Sequence, residues 1–147
     1  MRKYITVTLL FFIALSAYAQ PKHSKRIKSL KIAFITEQLD LTTEEAQNFW
    51  PVYNDFDEKT SKIRFEEIRS IRNSIRDNYE TLTNDEAKNL IKKMNAAENK
   101  LHELRNVFHS KLLDIIPAKK IIKLKIAEED FKKKMLHELR KRRNERP

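Results

Sequence analysis

Four histidines, His23, His102, His109 and His137, are the only imidazoles in the chain, and cysteine is absent. Imidazole and thiolate are the side chains most often recruited as transition-metal ligands, bases or nucleophiles. His102 and His109 stand seven residues apart on what reads as one helix, so about 10.5 Å separates them along its axis. Zinc–nitrogen bonds are near 2 Å, and one ion does not span that gap. Neither H-x-x-x-H nor H-E-x-x-H occurs. A set assembled between helices or protomers, such as His102 with Glu98 and Met94, is one reading; solvated helix histidines are the simpler one. The acidic pairs Glu44/Glu45, Glu66/Glu67 and Glu128/Glu129 are adjacent in sequence, and adjacent helix positions do not face one pocket. There is no nucleophile elbow and no glycine-rich phosphate loop. Glycine is missing altogether, and tight anion loops use glycine for positive φ. The chain therefore reads as a non-enzyme without a cofactor, and the chemistry left to it is contact.

Two groups offer that contact. The run Phe49-Trp50-Pro51-Val52-Tyr53-Asn54-Asp55-Phe56 places Phe49, Tyr53 and Phe56 on a helical core line, with Trp50 one residue off it, over a bend or exposed as a handle. Lys62, Arg69 and Arg76 form a seven-residue row, with Arg72 among them, beside Ile68, Ile71 and Ile75. A solvated face is the plain reading of such a row. Set among aliphatic residues on a concave side, it also suits acidic or unfolded partners, attracted at long range and held by apolar contact. Trp50, Lys62, Ile68, Arg69, Arg72 and Arg76 are thus the candidate protein-binding face.

Helices must position these residues. Leu41-Thr42-Thr43-Glu44-Glu45-Ala46-Gln47-Asn48-Phe49 returns as Leu82-Thr83-Asn84-Asp85-Glu86-Ala87-Lys88-Asn89-Leu90. Each copy has Thr followed three residues later by Glu, the capping box of a helix start. Thr42 with Glu45 and Thr83 with Glu86 each predict a cap worth about 1 kcal/mol. Apolar steps of three and four predict four helices: about 24–39, 43–79, 84–115 and from Pro117 through Leu139. The second stripe runs Ala46, Phe49, Tyr53, Phe56, Thr60, Ile63, then Ile68, Ile71, Ile75 and Tyr79. Pro51 removes the bond to the Gln47 carbonyl, and because the stripe keeps phase across it the helix is expected to bend there, not stop. The second helix would reach roughly 55 Å. The expected fold is all-α, a long antiparallel helical hairpin of about four helices, elongated and curved, with coiled-coil-like packing.

Residues 1–19 read as a cleavable signal peptide. Arg2 and Lys3 precede an apolar run from Ile5 to Leu15, and Ala17-Tyr18-Ala19 supplies the small residues before a cut after Ala19. An uncleaved anchor is the alternative. Residues 20–147 suffice for one all-helical domain, held without disulfides. The net charge of +10 is concentrated at the ends. Residues 20–36 hold five basic and no acidic side chains, and the tail, about 132–147, holds eight and two, whereas residues 37–131 hold 16 basic and 19 acidic ones. A basic tail usually suggests nucleic acid. Export points away from it, toward an anionic membrane surface or an acidic protein; a solvated helix end is the plain reading.

With the signal, the paired L-T-x-x-E caps and the glycine-free helices in hand, the chain resembles the LTxxQ family of Spy/CpxP-like periplasmic proteins. The stretch Phe34–Lys59 looks like small Bacteroidetes proteins described as sensors of ECF-type sigma factors. Glu45 and Glu86 stand where the family motif has Gln, and the histidine-rich ligand sets of the family's metal-sensing branch are missing. The resemblance implies a periplasmic, homodimeric envelope-stress sensor or regulator acting on a protein partner, without nucleic acid. The alternatives it carries are an ATP-independent chaperone for unfolded clients and a metal-binding sensor.

Overall fold

A computed structural model describes residues 22–145; the signal segment expected over 1–19 lies outside them. The chain is all-α, with α1 (Lys22–Leu39), α2 (Thr43–Lys62), α3 (Arg69–Asn78), α4 (Asn84–Leu113) and α5 (Ala118–Asn144). A π-helical turn, Ile63–Ile68, joins α2 to α3 in one continuous rod, and a short 3₁₀ turn, Tyr79–Thr81, ends that rod. Among the described residues there is no strand. Although residues 20–147 read as one domain in sequence, the contacts gather into two compact units. Of the described residues, one unit holds 22–38 and 127–145, and the other holds 39–126.

In the larger unit the α2–α3 rod runs antiparallel to α4. Phe56 stacks on Phe108, with ring centroids 4.1 Å apart, Glu67 pairs with Lys100, and Ile75 shares a groove with Leu90. Rising numbers on one rod thus meet falling numbers on the other. At one end Phe49, Tyr53, Phe56 and Phe108 form an aromatic cluster, with Tyr53 edge-on to Phe108 at 6.0 Å. Further along, Ile63, Ile68 and Ala97 are buried, with Met94, Leu101 and Leu104 packed against them. A fully buried alanine lets the rods approach closely at that level. Thr60 sits on the same stripe, also buried, and its hydroxyl donates to the Phe56 carbonyl at 2.8 Å. That bond removes the desolvation cost of a polar group in an apolar seam.

The π-turn departs from the unbroken second helix that the periodicity predicts. The stripe advances by three and four as far as Ile63 and then by five to Ile68. On a regular α-helix five steps would set these two side chains about 140° apart. The extra residue is absorbed where the Arg69 amide donates to the Arg64 carbonyl, five residues back. Both isoleucines then remain in the core.

Pro51 lies inside α2, which continues through it. The helix therefore does not stop at Pro51. Gln47 and Pro51 are both exposed, so the interrupted bond lies on the solvent side, where water can serve the freed carbonyl.

Among the described residues the glycine-free chain uses one left-handed residue. Asp40 follows α1 with φ of 49°, a position where glycine is usual but the short polar side chain of Asp is tolerated. In the smaller unit Phe34 of α1 meets Phe131 of α5 with centroids 5.7 Å apart, and Lys134 Nζ lies 5.4 Å from the centre of the Phe34 ring.

Candidate protein-contact site

Both capping boxes form. Thr42 N–H donates to Glu45 Oε2 at 2.8 Å and Glu45 N–H to Thr42 Oγ1 at 3.2 Å. At the second start Thr83 N–H donates to Glu86 Oε2 at 2.9 Å and Glu86 N–H to Thr83 Oγ1 at 3.3 Å. The two starts then differ. Lys120 Nζ, from the first turn of α5, donates to Glu45 Oε2 at 2.7 Å and to the Asp40 carbonyl at 2.6 Å. One ammonium thus ties the end of α1, the cap of α2 and the start of α5. The Lys120 hydrogen bond, followed by that from the Thr42 amide, holds the Glu45 carboxyl below its ordinary value of 4.5. Glu86 is lowered by the Thr83 amide and hydroxyl.

The sign of the pH dependence follows. A carboxylate whose pKa is lower in the folded than in the unfolded chain stabilises the fold above its unfolded value. That contribution fades as the pH falls below about 4.5 and through the depressed folded values. Melting temperature should therefore drop on acidification in that window. Glu45→Gln keeps an acceptor for the Thr42 amide but no charge for Lys120, and should flatten part of the acid limb. An unchanged acid limb in Glu45→Gln would contradict the assignment.

Caps and clasp hold the rod that carries the candidate contact residues. Lys62, Arg69, Arg72 and Arg76 are exposed, as expected. Arg69 and Arg72 form no ion pair among the described residues. Arg76 donates to Asn73 Oδ1 at 3.1 Å and lies 3.4 Å from Asp77 Oδ1. Two members of the candidate face sit elsewhere. Ile68 is in the core with Ile63 and Ala97, because it belongs to the apolar stripe and not to the row beside it. Trp50 is half-buried and packs edge-on against Phe49 and Tyr53, at 5.0 and 5.3 Å. At 1.5 Å per residue it lies roughly 18 Å along the rod from Lys62. It completes the aromatic cluster and does not join the row.

A residue outside the expected set takes their place. Phe65, in the π-turn, is 67% exposed. Phe65, Arg69, Arg72 and Arg76 follow one another by four, three and four, the spacing of a single helical stripe. Over about 16 Å the rod thus presents one bare aromatic ring and three guanidinium groups. On the other side of the apolar stripe Glu67 is neutralised by Lys100 at 2.8 Å. The jump of five in the stripe was the signal that could have found Phe65, since π-turns often sit at functional positions.

His102 and His109 are exposed, and a ring nitrogen of His102 lies 3.1 Å from Asn106 Nδ2. Among the described residues no group of three or more His, Asp or Glu side chains gathers as a metal site, and no helix is long and apolar enough to cross a membrane. Comparison of the chain with family models, with curated proteins and with solved structures finds no match.

Proposed function

We propose that the protein is a non-catalytic, periplasmic regulator that works by protein–protein contact in an envelope-stress circuit, with the Phe65–Arg69–Arg72–Arg76 ridge as its contact surface. One observation carries this reading: an exposed aromatic ring heads a row of arginines, two of them without a carboxylate partner among the described residues. Aromatic residues and arginine are the types enriched in the energetic centres of interfaces. A row of guanidinium groups attracts an acidic partner at long range and can hold carboxylates in bidentate pairs. Compartment and circuit come from the resemblance to the LTxxQ family and from the signal segment.

A second reading, an ATP-independent chaperone, is supported by the apolar side chains left wet near the turn between α3 and α4. Tyr79 is 70% and Ile91 60% exposed, beside a groove lined by Leu82 and Leu90. Such a surface would hold unfolded chains loosely.

Crosslinking in cells followed by mass spectrometry separates the two. Regulation predicts one saturable partner with an acidic surface, and no suppression of aggregation of an unrelated denatured protein at stoichiometric ratio. Many partners at low yield, together with strong suppression, would replace the regulator by the chaperone.

A further inference from the structure

We propose that the groove between α1 and the C-terminal half of α5 binds a free single-chain anionic amphiphile, of the class of medium-chain fatty-acid anions. It lies wholly within the smaller unit and does not rest on the ridge of the π-turn and α3. Leu30, Phe34, Phe131 and Met135 make an apolar floor, and the groove encloses about 250 Å³. Leu30 at its edge is 45% exposed. Arg26, Lys134 and Arg142 stand around the floor, against one carboxylate, Glu138. Neither Arg26 nor Arg142 forms an ion pair among the described residues. Lys134 is held over the Phe34 ring, which places a cation directly at the apolar surface. An occupant must therefore be apolar along its length and anionic at an end.

Charge and size select among occupants. Residues 22–38 carry five basic side chains against one acidic, and 127–145 carry seven against five. A second copy of the same surface would bring like charge onto like charge, which opposes self-association here. A helix about 10 Å across is too thick to enter a space of this volume and would only lie over it. If each methylene displaces about one water, ~30 Å³, the groove has room for roughly eight methylenes. That is one medium chain, not the two long chains of a membrane phospholipid. The carboxylate would be held by Arg26 and Arg142, whose planar forks match it, and the chain would cover Leu30, Phe34 and Met135.

The test is isothermal titration of the chain from Gln20 to Pro147 with decanoate below its micelle concentration, in parallel with NMR of the Met135 methyl group. Saturable one-to-one binding with a shifted Met135 resonance is expected. The double variant Arg26→Gln/Arg142→Gln should weaken binding about tenfold or more and remove most of its salt dependence. Both arginines are exposed, so the variant should keep its helix content, which circular dichroism checks. Decyltrimethylammonium, with the same chain and opposite charge, should not bind. Equal binding of the cationic amphiphile, full binding by the folded double variant, or no saturable binding of decanoate would overturn the proposal. So would binding confined to phosphatidylglycerol vesicles or to an acidic helical peptide, which would assign the surface to a membrane or a protein.

Discussion

Phe108→Ala should destabilise the larger unit by about 3–5 kcal/mol, the range for deleting a buried aromatic ring. Phe108 is nearly fully buried, stacks in parallel on Phe56 and receives the edge contact of Tyr53. Its removal takes one wall from the cluster that joins α2 to α4, and neighbours on two helices cannot collapse into a ring-sized void. Against a typical total of 5–15 kcal/mol the loss is large, and melting temperature should fall on the order of 10 °C. Trp50, the only tryptophan, packs on Tyr53 and reports the change by fluorescence. Phe108→Leu, which refills part of the space, should recover part of the loss. Melting of Phe108→Ala at the wild-type temperature would mean that the two helices are held elsewhere.

The second large effect concerns the π-turn. Deleting Glu66, an exposed residue inside the turn, turns the step of five between Ile63 and Ile68 into a step of four. A regular α-helix then places both isoleucines on the core side, and stability should stay near wild type. Deleting Glu58, equally exposed, leaves the step of five in place. It also swings Thr60 and Ile63 about 100° out of line with the aromatic cluster. That deletion should cost about 2–4 kcal/mol, the scale of losing a buried aliphatic contact. Thermal unfolding of the two variants side by side is the check. Equal losses would show that the π-turn does not compensate a surplus residue.

The starts of the rods were legible because a capping box is local. Thr42 and Glu45, like Thr83 and Glu86, sit three residues apart, and the partners need no tertiary structure to meet. The apolar stripes were legible for the same reason. The step of five was equally plain, yet a periodic reading passes over it, since a count of threes and fours treats the remainder as noise. Ile68 neighbours Arg69 in sequence, but its phase with Ile71 and Ile75 puts it in the core. Lys120 was hidden differently. It is one of many lysines, and its partner Glu45 is 75 residues away, so only the fold brings them together. Phe65 stands four residues before Arg69, in line with the arginines by spacing alone, but only its 67% exposure marks it as part of the ridge.

The claim that the arginine ridge is the working surface is tested most directly by a positional scan in cells. A photoreactive residue is placed singly at positions 65, 69, 72 and 76, and at the exposed positions 88, 99, 103 and 111 of α4. Crosslinks to one acidic partner should concentrate at the first four positions, and those from positions 65 and 76 should vanish when Arg69 and Arg72 are both replaced by Glu. Crosslinks spread evenly over both sets, or confined to α4, would contradict the account.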